Sequence, residues 1–211
     1  AARELDIKAT IFMPLGVALP KLQATRSYGA EVVLRGDTVE EPLKAAAEYS
    51  EKTGAILIPP FDHPDVVIGQ GTLGLEILDQ VADLNTVIVP IGGGGLISGV
   101  ASAIKQRAAA EGRTVRVIGV QAANAAAYSA SLAAGKVIEV RPSATIADGI
   151  AVAKPGLLNF EIVRELVDEI VTVSEADMAR AILVLLERAK QVVEPAGAVG
   201  IAAILSGQIT N

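Results

Sequence analysis

Four glycines in a row hold the sharpest chemical signal in this sequence. Gly92 to Gly95 follow an apolar run, Val87-Ile88-Val89-Pro90-Ile91, and precede Leu96 to Ala109, whose spacing predicts a helix. Each glycine in regular structure costs roughly 0.5–1 kcal/mol of backbone entropy. Such a run makes sense where the backbone must approach something closely with its N–H groups unobstructed. A glycine-rich turn at a helix start gathers several amides and adds the positive end of the helix dipole, so it suits an anion, and a phosphate above all. The alternative is a tight strand-to-helix turn with no guest. Two nucleotide motifs fail here. A G-x-G-x-x-G fingerprint starting at Gly92 requires glycine where Ile97 stands, and its ribose-binding acid falls near Gln121. The Gly-Lys-Ser/Thr of the nucleotide-phosphate loop is absent. The loop therefore favours a small phosphorylated cofactor over a nucleotide.

Other polar residues carry weaker signals. Asp148 reads as a turn residue bonding its own backbone, beside a Gly149 of positive φ. Glu194, ahead of Pro195, sits where a helix dipole favours an acid. His63, between Asp62 and Pro64, reads as an exposed or capping histidine at a helix start. Gln70, Gly71 and Thr72 either face a cleft or belong to a helix whose glycines allow tight packing. Glu161, Arg164, Glu165 and Asp168 are spaced like an exposed helix face with ion pairs, each worth about 0.2–0.5 kcal/mol.

These residues need a scaffold, and the rest of the chain describes one. The 211 residues are 51% hydrophobic, 20% charged and 3% aromatic, so Ala, Val, Ile and Leu must fill the core. A chain of this size buries roughly 70% of its unfolded surface. Strands are expected at Lys8–Met13, Ala30–Leu34, Ala55–Ile58, Thr86–Pro90, Val115–Val120 and Glu169–Val173. Helices are expected at Leu22–Tyr28, Thr38–Lys52 (capped by Asp37 or Thr38, with Glu40 and Glu41 in its first turn), Asp65–Leu78, Leu96–Ala109, Ala125–Ala134, Phe160–Leu166, Glu175–Lys190 and Pro195–Leu205. Ser174 with Asp177 makes an approximate capping box. The strand–helix–strand rhythm predicts an α/β fold with parallel strands joined by crossover helices. Pro59-Pro60 is the best candidate for a domain crossing.

Composition also excludes classes. Net charge is −6 and no Lys/Arg cluster exists, which argues against nucleic acid. There is no cysteine and one histidine, so disulfides, thiolate chemistry and multi-histidine metal sites are excluded. No apolar run approaches the ~18 residues of a membrane span. No signal peptide opens the sequence, so a cytoplasmic protein is expected. Ala1-Ala2-Arg3-Glu4-Leu5 lacks an initiator Met and reads like the end of a helix, which suggests a piece of a longer protein.

Several segments, in order along the whole chain, carry a family resemblance. They are Met13-Pro14 followed by Lys21-Leu22, Tyr28-Gly29-Ala30-Glu31-Val32, and Pro60-Phe61-Asp62 with Gly69-Gln70-Gly71-Thr72. Gly92-Gly93-Gly94-Gly95-Leu96 follows Val89-Pro90, and Thr145-Ile146-Ala147-Asp148-Gly149-Ile150-Ala151 and Glu194-Pro195-Ala196-Gly197-Ala198 come later. Together they resemble pyridoxal-phosphate enzymes of the tryptophan-synthase-β type and, more narrowly, the threonine dehydratase (threonine ammonia-lyase) family. The resemblance implies a fold type II α/β architecture, with three-layer parallel sheets in two domains, both incomplete here. Residues 1–60 would be part of the small domain and 61–211 part of the large cofactor-binding domain.

The same resemblance implies pyridoxal 5'-phosphate as cofactor, held by Gly92, Gly93, Gly94, Gly95 and Leu96, with Gly149 and Glu194 beside it. It implies L-threonine or L-serine as substrate, a 2-oxo acid and ammonia as products, and a homo-oligomer. Three family motifs are absent: the Ser-Phe-Lys segment whose lysine joins the cofactor, the Ser-Gly-Asn-His loop, and a late Ser-Gly-Gly-Asn segment. The eight lysines all sit in other contexts. No catalytic residue is therefore assigned, and these 211 residues alone are expected to be inactive. Relatives of the serine-racemase type place a divalent metal in an acid–Pro–x–x–x–x–Asp stretch. Here Gln121-Ala122-Ala123-Asn124-Ala125-Ala126-Ala127 lacks the carboxylates. No metal is expected, which favours dehydratase over racemase. Serine dehydratase or serine racemase is the near alternative, and a non-catalytic phosphate- or metabolite-binding module the distant one.

Overall fold

The structure is a computed structural model that describes residues 1–37, 40–141 and 143–209, and of Glu40 only the backbone. The chain divides into two compact units, Ala1–Pro59 and Pro60–Asn211. The Thr38 cap foreseen for the helix of the first unit lies outside the described residues.

The first unit has two parallel strands, β1 (Thr10–Met13) and β2 (Glu31–Leu34), with Thr10 opposite Glu31. Helix α1 (Leu19–Ser27) crosses between them, and α2 (Glu40–Thr53) follows. Helix α1 starts earlier than Leu22 because Pro20 occupies its first turn, where a missing N–H costs nothing. The Phe12 and Tyr49 rings meet at 5.6 Å between centroids, tying α2 to β1. The strand foreseen at Ala55–Ile58 is absent. The segment runs without sheet partners, and Ile56 and Ile58 are 91% and 79% exposed. A β-branched run becomes a strand only beside a ladder to join.

The second unit holds a parallel sheet ordered β3 (Thr86–Pro90), β4 (Arg116–Ala122), β5 (Glu169–Val173). Val87 lies opposite Val117, and Ile118 opposite Glu169. Helices α3 (Pro64–Gln80), α4 (Gly95–Ala110), α5 (Ala127–Ala134), α6 (Leu157–Leu166), α7 (Glu175–Val184) and α8 (Pro195–Leu205) surround it. Strand alternation sorts the core into two. Val87, Val89 and Val117 face Ile97, Val100, Ile104, Tyr128, Phe160 and Val163. Ile118, Val120, Val171 and Val173 face Met178, Ala181, Val199 and Ala202. Helices α3 to α6 thus form one outer layer and α7 with α8 the other. Right-handed crossovers that step the same way along the sheet place their helices on one face, which accounts for α4, α5 and α6 lying together.

Two local readings are corrected. The long helix foreseen over Glu175–Lys190 is α-helical only to Val184. Leu185–Ala189 widen into a π turn, closed at Lys190 (φ 56°), where the Gln191 N–H reaches the Leu185 carbonyl at 3.0 Å. Asp168 is no helix-face residue. It stands beyond α6 and accepts from Lys105 Nζ and from the Val117 N–H, both at 2.6 Å, joining α4 to the central strand. Burial alone would raise its pKa, but those two hydrogen bonds outweigh it and hold the carboxyl below the usual range. No helix among the described residues is long and apolar enough to cross a membrane.

Candidate functional site

The site lies where β3 delivers the chain into α4, at the carboxyl end of the sheet, the usual place for ligands in open α/β folds. Ile91 N–H donates to the Val120 carbonyl at 2.8 Å, and pairing with β4 stops there. Gly94, at φ 98°, turns the backbone into α4. The first intrahelical bond is Ser98 N–H to Gly94 O, at 3.0 Å. Among the described residues, the N–H groups of Gly92, Gly93, Gly94, Gly95, Leu96 and Ile97 find no acceptor, although Gly93, Gly94 and Gly95 are buried. Helix α4 also has no side-chain cap. Buried amides are nearly always paired, so a row of free ones points to a guest that supplies the acceptors.

The glycines are bare for a second reason, which sequence reasoning missed. A Cβ on Gly93 would land on the Phe61 ring, one on Gly94 on the Tyr128 hydroxyl, and one on Gly95 within 3.0 Å of Phe61 Cβ. On Gly92 it would come within 3.1 Å of Ile150 Cα. The protein fills the inner side of the loop, and the loop's N–H groups are left without partners among the described residues.

The Gly93 carbonyl points inward and accepts three donors: Tyr128 Oη at 3.1 Å, Asn159 Nδ2 at 3.3 Å and Gly156 N–H at 3.1 Å. Tyr128 and Asn159 are fully buried. Burial, with the nearby Asp62 carboxylate, pushes the Tyr128 hydroxyl well above its ordinary value, so it remains a donor. Asp62 itself accepts the Leu157, Leu158 and Asn159 N–H groups at 2.8, 3.0 and 3.3 Å, capping α6 from 95 residues away. Neither Tyr128 nor Asn159 was singled out from sequence. The available signals were a lone tyrosine in an aromatic-poor stretch and an asparagine on the same helix stripe as Val163.

The remaining candidates fall as follows. Gly149 sits in a short 3₁₀ turn, Asp148–Ile150, and is not at positive φ, contrary to expectation. Glycine is needed there because a Cβ would come within 3.1 Å of Ala196 Cβ and 3.3 Å of Glu194 Oε1. Gly149 and Glu194 are thus neighbours, both exposed, and the turn that carries Gly149 abuts Gly92 through Ile150. His63 caps α3, its Nδ1 accepting the Asp65 N–H at 3.2 Å. Gly71 and Thr72 line a groove of ≈ 670 Å³ between α3 and α4. The Cβ position of Gly71 is 3.3 Å from Gly99 O, so this glycine serves helix contact. Gln121 is buried. Its Nε2 donates to Ala125 O at 3.3 Å and its Oε1 accepts the Ser129 N–H at 3.1 Å.

Residues 1–210 match the family described as pyridoxal-phosphate dependent enzyme. The chain belongs to that family. It is 50% identical over 206 residues to the L-threonine ammonia-lyase of Thermotoga maritima, covering 98% of this chain and 50% of that protein. It is 47% identical to the catabolic L-threonine dehydratase of Escherichia coli K12, covering 97% of this chain and 61% of that protein. The chain thus spans half to three-fifths of the curated relatives it matches. Among solved structures, a threonine deaminase from T.th. superposes with a TM-score of 0.90 at 42% identity, over 98% of this chain and 67% of that one. Maize serine racemase gives 0.92 at 36% identity, over 98% and 61%. The fold type II α/β architecture is that of these pyridoxal-phosphate enzymes. Free backbone amides at a helix start are donors of the kind a phosphate group accepts from.

Proposed function

We propose that the protein of which these residues form part is a pyridoxal-phosphate-dependent ammonia-lyase, converting L-threonine or L-serine to a 2-oxo acid and ammonia. The observation that carries this is the row of free N–H groups at Gly92–Ile97, in a chain close in sequence to threonine ammonia-lyases. The amides of Gly92 to Leu96 hold the phosphate ester, helped by the α4 dipole. The cofactor, when bound, supplies a conjugated ring that takes up the electron pair left as the substrate's α-proton departs. Gly149 keeps one wall of the site free of side chain, and Glu194 borders it. No residue of this chain is assigned the proton transfer. Its lysines lie outside the motif that would place one against the cofactor, so these residues alone are expected to be inactive.

Serine racemase chemistry is the second reading, favoured by the maize superposition. Gln121 supports the lyase instead, because its amide is engaged in neutral hydrogen bonds where a carboxylate for a divalent cation would be needed. A cytoplasmic homo-oligomer acting on a small amino acid completes the proposal.

The test is product analysis of the full-length protein with pyridoxal 5'-phosphate. Release of 2-oxobutyrate and ammonia from L-threonine is expected. D-Serine formed from L-serine without ammonia would replace the lyase by the racemase. Neither product, together with no visible absorption band from bound cofactor, leaves only a phosphate-binding module.

A further inference from the structure

The Gly93 carbonyl is held in an unusual way. A carbonyl oxygen has two lone pairs, yet this one receives three donors from three places: α5 (Tyr128), α6 (Asn159) and the residue that precedes α6 (Gly156). The arrangement is maintained at a cost. Asn159 gives its Nδ2 to Gly93 O and to Phe61 O, at 3.3 and 3.1 Å, and its Oδ1 is left buried with no partner among the described residues. An unsatisfied buried acceptor of this kind needs a reason. Simple satisfaction of the Gly93 carbonyl is not that reason, because Tyr128 or Gly156 alone would achieve it.

The reason lies on the other side of the same peptide. In a trans peptide the C=O of one residue and the N–H of the next point in opposite directions. A Gly93 carbonyl fastened inward turns the Gly94 N–H the opposite way, away from Tyr128 and Asn159. Donation to a carbonyl also polarises its peptide, so that the N–H becomes a better donor. We propose that Tyr128 and Asn159 are positioning residues for anion binding, acting through the Gly93–Gly94 peptide to aim and strengthen the Gly94 N–H. The proposal rests on the phosphate reading of the glycine loop. Both residues are themselves fixed. The Ser129 N–H on Gln121 Oε1 (3.1 Å) anchors the start of α5, and Asp62 accepts the Asn159 N–H (3.3 Å). Tyr128, kept protonated by burial, does not switch off as the solution turns alkaline.

Tyr128→Phe keeps the ring and removes the hydroxyl. The protein, cofactor-free and ¹⁵N-labelled, is titrated with inorganic phosphate while the glycine amide resonances are followed. In Tyr128→Phe the affinity is expected to fall about three- to tenfold, the worth of one hydrogen bond. The Gly94 amide proton of the free variant moves upfield, while those of Gly54 and Gly207, far in the chain from both Gly94 and Tyr128, stay in place. Asn159→Ala is the second variant, and its effect has the same direction. A folded Tyr128→Phe with unchanged phosphate affinity and an unmoved Gly94 resonance overturns the positioning role. If Tyr128→Phe does not fold, Asn159→Ala decides by the same two readouts. A wild-type protein whose loop amides ignore phosphate overturns the phosphate reading itself, and this proposal with it.

Discussion

Helices α4 and α6 belong to the same unit and begin in opposite ways. At α6 a carboxylate from far along the chain, Asp62, takes up three first-turn N–H groups. At α4 the corresponding groups are left free and the residue before the helix, Gly94, is a glycine at φ 98°. Helix α7 resembles α6, with Ser174 and Asp177 exchanging hydrogen bonds in a full capping box. A helix start costs stability when its donors are buried without partners. The unit satisfies two of these starts from its own side chains and leaves the third open. That start is also the one whose backbone is braced from behind by Tyr128 and Asn159. The contrast separates an end built for the fold from an end built for a guest.

Gly94→Ala attacks the open end most directly and has the largest expected effect. A methyl group at this φ is strained, and it lands on the Tyr128 hydroxyl. The left-handed strain and the overpacking together are expected to cost about 2–5 kcal/mol of stability, with loss of phosphate binding. Urea unfolding with and without phosphate measures both. A variant as stable as the wild type, and stabilised equally by phosphate, would show that the loop tolerates side chains and is not specified by its glycines.

Asp62→Ala makes α6 resemble α4 and should cost less. Three N–H groups lose their acceptor but lie partly within reach of water, so about 1–3 kcal/mol is expected. The same unfolding measurement reports it. A loss below a few tenths of a kcal/mol would mean that the long-range cap does little, and that closed and open starts differ in geometry alone.

Part of this contrast is legible in the sequence and part is not. The strands β3 and β5 and the helix α8 stand where alternating Val/Ile runs and glycine or proline punctuation put them, because these signals are local. The glycine loop is legible for the same reason: four consecutive glycines between a strand and a helix suit little besides a close approach to the backbone. The brace behind it is not. Tyr128 is 35 residues from Gly93, Asn159 66 residues from Gly93, and Asp62 97 residues from Asn159, separations at which no sequence period operates. Ala55–Ile58 fails for the converse reason, since its local signal is sound and the ladder to receive it is not among the described residues.

Ser174→Ala tests a closed start that has no part in the site. Loss of the capping box at α7 is expected to cost about 1 kcal/mol. Phosphate affinity should stay at the wild-type value, because this helix packs on the opposite face of the sheet from α4. A changed affinity would mean that the two faces communicate, and the division between fold-serving and guest-serving ends would lose its meaning.

The smallest effect concerns pH, and it separates the two kinds of helix start by which partner titrates. At α7 the Ser174 hydroxyl and N–H bonds, with the charge of Arg180 beside them, hold the Asp177 carboxyl below its usual value. A carboxyl depressed in the folded state adds stability above its unfolded pKa of about 3.9, and that stability is lost as pH falls through the folded value. The difference in stability between wild type and Asp177→Asn should therefore be constant from neutral pH down to about 4 and then close in more acid solution. At α4 the donors are backbone amides, which do not titrate. The affinity for a phosphate monoester should instead weaken below about pH 6, where the ester dianion takes up a proton. An affinity that holds steady through pH 6 and falls with the carboxylates would transfer the anion site from the bare amides to an acid-linked element of the protein.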